Sequence, residues 1–337
     1  MQEKSKFAEL YETPTFFSRV ILYVKHHIRM LLWKILDTLE TRKTKASRSF
    51  SLDPNIYKSF EEDGYLHLPG FFPSEYIDEI NASISTSRGN LERNRKNNNL
   101  RSGRIANIHS INRDVFKFLN DPLLQDIQKI LLSNDPVLWG SLAFNVGTQQ
   151  LAHVDAPFFY VEPHGSMMGM WIALEDINPD AGPLFYIPSS HLNQFHVKDV
   201  LDKNALLKNE VDKFRKLNIS ASPQTYWDLS KSVSDTYSKG IEDAALGERV
   251  TISPKKGDIF FWHQWLVHGG SPINNPSLTR KSIVSHWISN KSTAFDQHNF
   301  FLNYNRLDSR FEQKLPIKKS KVGRFIKQYR AQILNWD

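Results

Sequence analysis

The sequence predicts a β-rich α+β protein: a jelly roll or β-sandwich backed by helices and carrying a helical insertion. Three observations lead to this prediction. Helical periodicity dominates up to about residue 132, and short β-like runs bounded by Gly, Pro, Asn and Asp begin at residue 137. A long segment, residues 192–247, interrupts these runs with helical stretches. Helices first and strands afterwards are typical of a sheet that is covered by helices on one face.

The first predicted element is a basic amphipathic helix over residues 16–40. Its apolar residues recur at helical spacing, but Lys25, Arg29 and Lys34 interrupt the apolar run. The segment is therefore too charged to span a bilayer. Three roles stay open for it: lying in the interface of an anionic membrane, packing on the rest of the protein, or forming a dimer contact. Residues 1–50, helix and basic linker together, are predicted to stand apart from the main domain.

Start signals define the helices that precede the strands. Asp53-Pro54 and Pro73-Ser74 each open a helix, because Asp or Ser beside Pro is favoured in the first turn. A short strand, 65–68, is predicted between these two helices. Residues 112–132 are also helical, with an Asp-Pro pair restarting the helix midway. Residues 88–104 are polar and aperiodic and are predicted to form a loop.

Six short β-like runs follow and make up the predicted sandwich. They are residues 137–146, 169–174, 182–187, 249–252, 258–262 and 281–288. The insertion 192–247 falls between the third and the fourth run, and an insertion of this kind commonly covers the mouth of a barrel as a lid. The main domain is predicted to span 51–292, and residues 293–337 are predicted to form a basic, aromatic tail.

The composition limits the possible functions. The chain has 337 residues, of which 40% are hydrophobic, so it can fill a substantial core. It has no cysteine, which excludes a thiolate metal site and a cysteine nucleophile and fits a reducing compartment. The net charge of +7 comes mostly from the two ends, so a nucleic-acid groove across the core is not indicated. We expect a cytoplasmic protein, peripheral on the inner face of a membrane if residues 16–40 bind lipid.

One short motif is the centre of the functional prediction. The triplet His-Val-Asp at 153–155 is the only place where a histidine precedes an acidic residue by two positions. About one such match is expected by chance, so the triplet alone is weak. A further histidine, His268, lies beyond the fifth β-like run, and Arg280 follows it. Two imidazoles and one carboxylate can occupy one face of an octahedral iron and leave three positions open. We predict that His153, Asp155 and His268 bind Fe(II); the alternative is three unrelated polar residues.

Three segments of this region resemble the phytanoyl-CoA dioxygenase family of iron- and 2-oxoglutarate-dependent oxygenases. Residues 147–155 are similar to the family's glycine-containing turn before His-x-Asp. Residues 170–191 are similar to its strand, acidic turn, Gly-Pro-Leu strand and Pro-Gly-Ser-His turn, with Ser189-Ser190 in place of Gly-Ser. Residues 256–280 are similar to its Gly-Asp strand, distal histidine and following arginine. Each segment alone is weak, but three in the right order are specific.

The resemblance implies a double-stranded β-helix, a cupin-like jelly roll, with the metal inside one open end. It also implies that 2-oxoglutarate and dioxygen are co-substrates and that a C–H bond of a small or lipid-like organic substrate is hydroxylated as succinate forms. A buried cation must meet the far carboxylate of 2-oxoglutarate, and Arg280 is the candidate because its planar fork suits a carboxylate. Trp171 is implied to face this co-substrate, as is Asn145, which stands where many relatives carry a basic residue.

The candidates for substrate contact are Gln149, Phe158, Phe159, Tyr160 and His164. The aromatic run 158–160 can equally form an apolar wall or fill the core of the barrel. Desaturation and ring closure are alternatives to hydroxylation, because the geometry of the radical decides between them. Three other functions stay open: a non-catalytic binding protein on the same barrel, a cupin-like metal-dependent isomerase or hydrolase, and a membrane-bound scaffold organised by residues 16–40.

Overall fold

A computed structural model describes the main body of the chain and a few short stretches outside it. The described residues are 56–93, 104–159, 161–163, 165–193, 223–244 and 247–294, the strands 317–319, 324–326 and 332–334, and single helical positions at 24, 28, 32, 205, 208, 209 and 212. Of the predicted substrate residues, Tyr160 and His164 lie outside this set.

The described strands form a major sheet and a smaller sheet that faces it. The major sheet contains β1 (Tyr65–Leu68), β2 (Arg104–Ala106), β3 (Pro136–Phe144), β5 (Met167–Ala173), β8 (Ile259–His263), β10 (Ser282–Ser289), β12 (Ile317–Lys319), β13 (Arg324–Ile326) and β14 (Gln332–Leu334). The smaller sheet has the order β7 (Val250–Ile252), β6 (Leu184–Tyr186), β9 (His268–Gly270), and β4 (Val161–Glu162) pairs with β11 (Thr293–Ala294).

The centre of the major sheet is an antiparallel run in the order β1-β8-β5-β10-β3. At the far edge, β13 pairs in parallel with β3, and β12 pairs with β13. Strand β2 pairs with both β3 and β14. The last three strands of the chain therefore lie in the major sheet, within the segment that the sequence predicted to be a tail.

Five helices are described: α1 (Ile56–Asp63), α2 (Ser74–Arg93), α3 (Arg113–Leu119), α4 (Pro122–Leu131) and α5 (Pro223–Asp243). The predicted restart at Asp121-Pro122 is observed as the break between α3 and α4. Asn112 caps α3 by accepting the Val115 amide, and Asp121 caps α4 by accepting the Leu123 amide. Helix α2 runs past the start of the loop predicted for residues 88–104.

Alternating side chains of the major sheet separate two cores. One face packs with α1–α4 in a cluster that includes Ile77, Phe118, Ile127, Met170, Ile172, Phe261 and Ile283. The other face turns toward the smaller sheet, where Trp171, Phe260 and Trp262 pack with Leu184 and Tyr186. The predicted α+β architecture, with antiparallel sheets and supporting helices, is confirmed. The space between the two sheets is the interior that holds the candidate site.

Candidate metal centre

The two predicted histidine ligands are brought together by backbone pairing. His153 and His268 form an antiparallel bridge in which each amide donates to the other's carbonyl, at 2.9 and 3.0 Å. Residues opposite each other in such a pair project their side chains on the same face. The two imidazole rings accordingly lie 4.2 Å apart, centre to centre. His153 thus extends the smaller sheet by one position next to β9.

Asp155 reaches the same face because it follows His153 by two residues in extended chain. Its amide and that of Ala156 both donate to the carbonyl of Gln264, each at 3.0 Å. One carboxylate oxygen lies 3.9 Å from Nε2 of His153, and the other lies 3.9 Å from Nε2 of His268. One ligand atom from each of the three residues can be chosen so that all lie within 4.8 Å of one another, and all three residues are buried. The predicted triad therefore exists as a cluster.

Hydrogen bonds fix which nitrogen of each imidazole faces the centre. Nδ1 of His153 lies 2.9 Å from the carbonyl of Leu151, and Nδ1 of His268 lies 2.9 Å from that of Leu266. Because a carbonyl only accepts, each Nδ1 donates and each Nε2 keeps its lone pair. Gln150 Nε2 donates to Nε2 of His153 at 3.0 Å in this structure. Both rings present a free-base nitrogen of the kind that binds a metal.

The charges in the cluster suit a divalent cation. Burial, followed by the neighbouring His268, lowers the pKa of His153 to about 3, and burial also lowers the pKa of His268. Burial by itself would raise the pKa of Asp155, but His268, His286 and His153 together hold that pKa below its ordinary value. At neutral pH the cluster therefore consists of two neutral imidazoles and one carboxylate.

Two further side chains hold the carboxylate of Asp155. The indole Nε1 of Trp262 donates to Oδ2 at 2.7 Å, and Nε2 of His286 lies 3.4 Å from the same oxygen. Room for Trp262 is provided by Gly169, where an added Cβ would lie 2.0 Å from the indole ring. Neither Trp262 nor His286 was predicted as a site residue. Alternation along the predicted strands puts each on one face, but it does not tell which face meets the metal motif.

Of the residues predicted for the co-substrate, Trp171 and Arg280 are buried. Arg280 is 4% exposed and its Nη1 donates to the carbonyl of Gly182 at 2.8 Å. Its Nε has no hydrogen-bond partner among the described residues, and neither has the buried Nε1 of Trp171. Asn145 is next to Arg280, since its carbonyl accepts the Arg280 amide at 2.8 Å. Burial lowers the pKa of Arg280 to about 10, so the side chain is a buried cation at neutral pH.

The remaining predicted residues have different surroundings. Phe159 stacks on His286 at 4.1 Å and meets Trp139 edge-on at 5.4 Å, which puts its ring beside the partner of Asp155. Phe158 is half-buried. Gln149 is exposed and its side-chain carbonyl accepts the amide of Ile273 at 3.1 Å.

Two other histidines have structural environments. Nε2 of His191 donates to the carbonyl of Glu61 at 2.8 Å, as expected for a residue that fixes a turn. His263 lies near the rings of Phe60 and His191 on the helix side of β8, and burial lowers its pKa to about 3. Because alternate residues of β8 face opposite ways, His263 points away from the face that carries Trp262.

The side chains present fit an iron and 2-oxoglutarate. The triad supplies two nitrogen donors and one oxygen donor, a set suited to Fe(II) with open positions left over. A buried guanidinium with an unused N–H needs an anionic partner, and the far carboxylate of 2-oxoglutarate is one.

The family comparison agrees with this site. The family model described as phytanoyl-CoA dioxygenase (PhyH) matches residues 60–282. The chain is 38% identical over 76 residues to phytanoyl-CoA dioxygenase domain-containing protein 1 of Danio rerio, covering 21% of this chain and 26% of that protein. It is 27% identical over 155 residues to phytanoyl-CoA dioxygenase 1 of Oryza sativa, covering 46% of this chain and 44% of that protein. The chain thus spans less than half the length of these two relatives.

Solved structures share the fold at low identity. The 2-oxoglutarate- and 5-hydroxyectoine-bound structure of EctD from S. alaskensis has a TM-score of 0.52 at 18% identity, over 73% of this chain and 79% of that chain. The epimerase SnoN in complex with Fe3+, alpha ketoglutarate and nogalamycin RO has a TM-score of 0.53 at 16% identity, over 74% and 88%. The predicted fold is confirmed, and the family model matches well over half of the chain. This protein therefore belongs to the phytanoyl-CoA dioxygenase (PhyH) family of non-haem iron and 2-oxoglutarate-dependent oxygenases, and His153, Asp155 and His268 are its candidate metal-binding triad.

Proposed function

We propose that this protein hydroxylates a C–H bond of a small or lipid-like organic substrate, using Fe(II), 2-oxoglutarate and dioxygen. The single observation that carries the proposal is the interior shared by a buried triad and a buried guanidinium. In the balanced reaction the substrate gains one oxygen atom, and 2-oxoglutarate takes up the other as it loses carbon dioxide and becomes succinate. A protein that only bound a neutral organic molecule would gain nothing from keeping Arg280 charged and buried.

The side chains of the triad have separate tasks. His153 and His268 each present Nε2 because their Nδ1–H groups are held by backbone carbonyls. Asp155 is ionised, and hydrogen-bond donation from Trp262 keeps its Oδ2 oriented. When bound, the metal supplies the activation of dioxygen at its open positions, and two-electron oxidation of the co-substrate drives the reaction.

Arg280 and Trp171 are proposed to hold 2-oxoglutarate. The free Nε–H of Arg280 can donate to the far carboxylate, and the buried cation neutralises its charge. Trp171 is positioned on β5 with its Nε1–H also unused among the described residues. Asn145 adjoins Arg280 through the backbone, and we propose that its side chain borders the same co-substrate.

The substrate side of the site is proposed to be apolar. Phe159 lies against His286 and Trp139, so its ring can exclude water from the neighbourhood of the triad and contact a hydrocarbon. Phe158 is proposed to continue this wall, and Gln149, Tyr160 and His164 are proposed to contact the substrate. An apolar wall beside a polar centre fits an acyl chain or another lipid-like molecule.

An anaerobic titration tests the cofactor chemistry. Purified protein is loaded with Fe(II), and 2-oxoglutarate is added while the visible spectrum is recorded. We expect a weak charge-transfer band that is absent from His153→Ala and weakened in Arg280→Ala. If the metal binds but no band forms, the protein is instead a metal-dependent isomerase or hydrolase, or a binding protein.

The outcome of the oxidation is tested by the mass of the product. Two structural neighbours are the carbocyclase SnoK and the epimerase SnoN, so members of this fold class differ in outcome. The first step is to find a substrate. Panels of acyl compounds and of free metabolites are screened for a compound that increases the formation of succinate. Hydroxylation adds one oxygen atom to that substrate, whereas ring closure or desaturation removes two hydrogens and epimerisation leaves the mass unchanged. Either of the latter two results overturns the proposed hydroxylation.

We also propose that residues 16–40 bring the enzyme to the anionic inner face of a membrane as a peripheral protein. Val24, Ile28 and Leu32 are helical, four residues apart, and 46%, 54% and 52% exposed. The surrounding sequence carries four Lys/Arg and two Asp/Glu, which favours anionic lipid. No helix in the described part of the chain is long and apolar enough to cross a membrane.

Sedimentation with vesicles tests the membrane proposal. We expect the full chain to pellet with phosphatidylserine-containing vesicles at low salt, and Ile28→Glu to lose this binding. Ile130→Glu is the matched control, because Ile130 is an exposed isoleucine on α4 in the main domain. No sedimentation of the wild type, or equal loss in both variants, would contradict the proposal.

A further inference from the structure

Helix α5, within the insertion 192–247, lies directly against the chain segment that carries two of the metal ligands. Val154 separates His153 from Asp155. Its amide donates to Oγ of Ser234 at 2.9 Å, and the same hydroxyl donates to the Val154 carbonyl at 3.2 Å. One side chain of α5 therefore satisfies both backbone groups of the residue between the ligands. Ser234 and Val154 are both 0% exposed, so water cannot replace this hydroxyl.

A second serine extends the contact by one turn of the helix. Ser230 precedes Ser234 by four residues and so lies on the same face of α5. Its Oγ donates to the carbonyl of Pro157 at 2.8 Å. Helix α5 thus follows the ligand segment from residue 154 to residue 157.

The same helix is also connected, through Ser190, to the residue that precedes the third ligand. Tyr237 donates its hydroxyl to the carbonyl of Ser190, and Oγ of Ser190 accepts the amide of Val267 at 2.8 Å. Val267 immediately precedes His268 in the chain. The ring of Tyr237 packs against Trp265, 5.4 Å away. Successive turns of α5 are therefore linked to both segments that supply the triad.

We propose that α5 is a fixed support of the metal site rather than a movable lid, and that Ser234 is its positioning residue. This inference rests on the metal site proposed above. The ligands are spaced by the peptide groups on either side of Val154, and Ser234 holds the orientation of both. Without the hydroxyl, two buried backbone groups lose their partner and the peptides can rotate to find others. The geometry of the triad would then no longer be set before the metal arrives.

Metal affinity measures this positioning role without any need for a substrate. Apo-protein is titrated with Co(II), whose visible bands report both binding and ligand geometry. Changing a residue that orients a ligand typically weakens metal affinity 10- to 100-fold, so we expect Ser234→Ala to bind Co(II) at least about tenfold more weakly and with altered bands. The matched control is Ser238→Ala. Ser238 is buried one turn further along the same face of α5, and its hydroxyl has no partner among the described residues.

The outcomes separate the inference from the function on which it rests. If the wild type and Ser234→Ala bind Co(II) with the same affinity and spectrum, Ser234 contributes only to folding and the inference is overturned. If the wild type binds no Co(II), the metal site and the proposed function are both refuted. If Ser234→Ala does not fold, Tyr237→Phe takes its place. We then expect a smaller loss of affinity in that variant, and an unchanged affinity overturns the inference.

Discussion

Replacing Arg280 with methionine should change stability and co-substrate binding in opposite directions. Burial lowers the pKa of Arg280 from its ordinary value to about 10, a fall of about 2.5 units. At about 1.4 kcal/mol per unit, holding this cation away from water costs the folded protein about 3–4 kcal/mol. The cost is fully present at neutral pH, because the side chain is protonated there in both the folded and the unfolded chain.

Arg280→Met removes this cost and one favourable contact. The lost hydrogen bond leaves the Gly182 carbonyl without its donor, which costs about 1–3 kcal/mol. We therefore expect the metal-loaded variant without 2-oxoglutarate to be between equally stable and about 3 kcal/mol more stable than the wild type. Binding of 2-oxoglutarate should weaken at least about 100-fold, since losing one partner of a buried ion pair costs about 3–5 kcal/mol.

Anaerobic thermal melts with and without 2-oxoglutarate measure both effects in one experiment. The melting temperature of the wild type should rise when 2-oxoglutarate is added. Without 2-oxoglutarate, Arg280→Met should melt at least as high as the wild type, and its melting temperature should not change when 2-oxoglutarate is added. Arg280→Lys is the control, because it keeps the buried charge but loses the planar fork. A methionine variant that is clearly less stable without 2-oxoglutarate, or that binds it normally, would refute the reasoning.

Three other predictions follow from the same site. Gly169→Ala should displace Trp262 and weaken metal binding, because the new Cβ would lie 2.0 Å from the indole. Gly140→Ala is the control: its new Cβ meets one atom at 3.4 Å, so this variant should bind metal normally in the same titration. Without metal, the free energy of unfolding should fall by at least about 2–3 kcal/mol between pH 7.5 and 5.5. His153 and His263, with pKa values of about 3, stay neutral in the folded protein while the unfolded chain takes up protons, and burial also lowers the pKa of His268, which adds to the fall. Urea midpoints at both pH values measure this, and equal midpoints contradict it. A free metal concentration of about 100 times Kd should raise the free energy of unfolding by about 2.7 kcal/mol. If a chelator leaves the melting temperature of the metal-loaded protein unchanged, the protein has no specific metal site.

Two members of the triad could be predicted from the sequence because they are close together in it. His153 and Asp155 are two residues apart in extended chain, so they share a face wherever the strand lies. Ligand chemistry suggested His268 as the third ligand and the resemblance made that choice specific, since nothing local states that residue 153 will form a bridge with residue 268. The bounds of the seven predicted strands agree with the structure within about two residues, because β-branched and aromatic runs end at Gly, Pro and Asn. The other seven described strands, including β9 with His268, were not predicted.

The surroundings of the triad could not be predicted in the same way. Trp262 and His286 reach Asp155 only after β5, β8 and β10 pair in one register, and a shift by one residue would turn each side chain to the other face. The contact of Ser234 with Val154 joins residues 80 positions apart across an insertion. Serine at helical spacing in a polar sequence gives no signal that it is buried. Such contacts are products of tertiary packing rather than of local pattern.

The two sheets supply different parts of the candidate site, which explains why the interior contains polar atoms without partners among the described residues. The smaller sheet and the residue bridged to it supply the two imidazoles, whereas the major sheet supplies the donors that hold Asp155. A purely structural interior between two sheets would be filled with hydrocarbon, and each buried N–H left unpaired would cost about 1–3 kcal/mol. Here the unused N–H groups of Arg280 and Trp171 occur in the same interior as the triad. An anion that enters beside them would offset this cost, and we expect the far carboxylate of 2-oxoglutarate to be that anion.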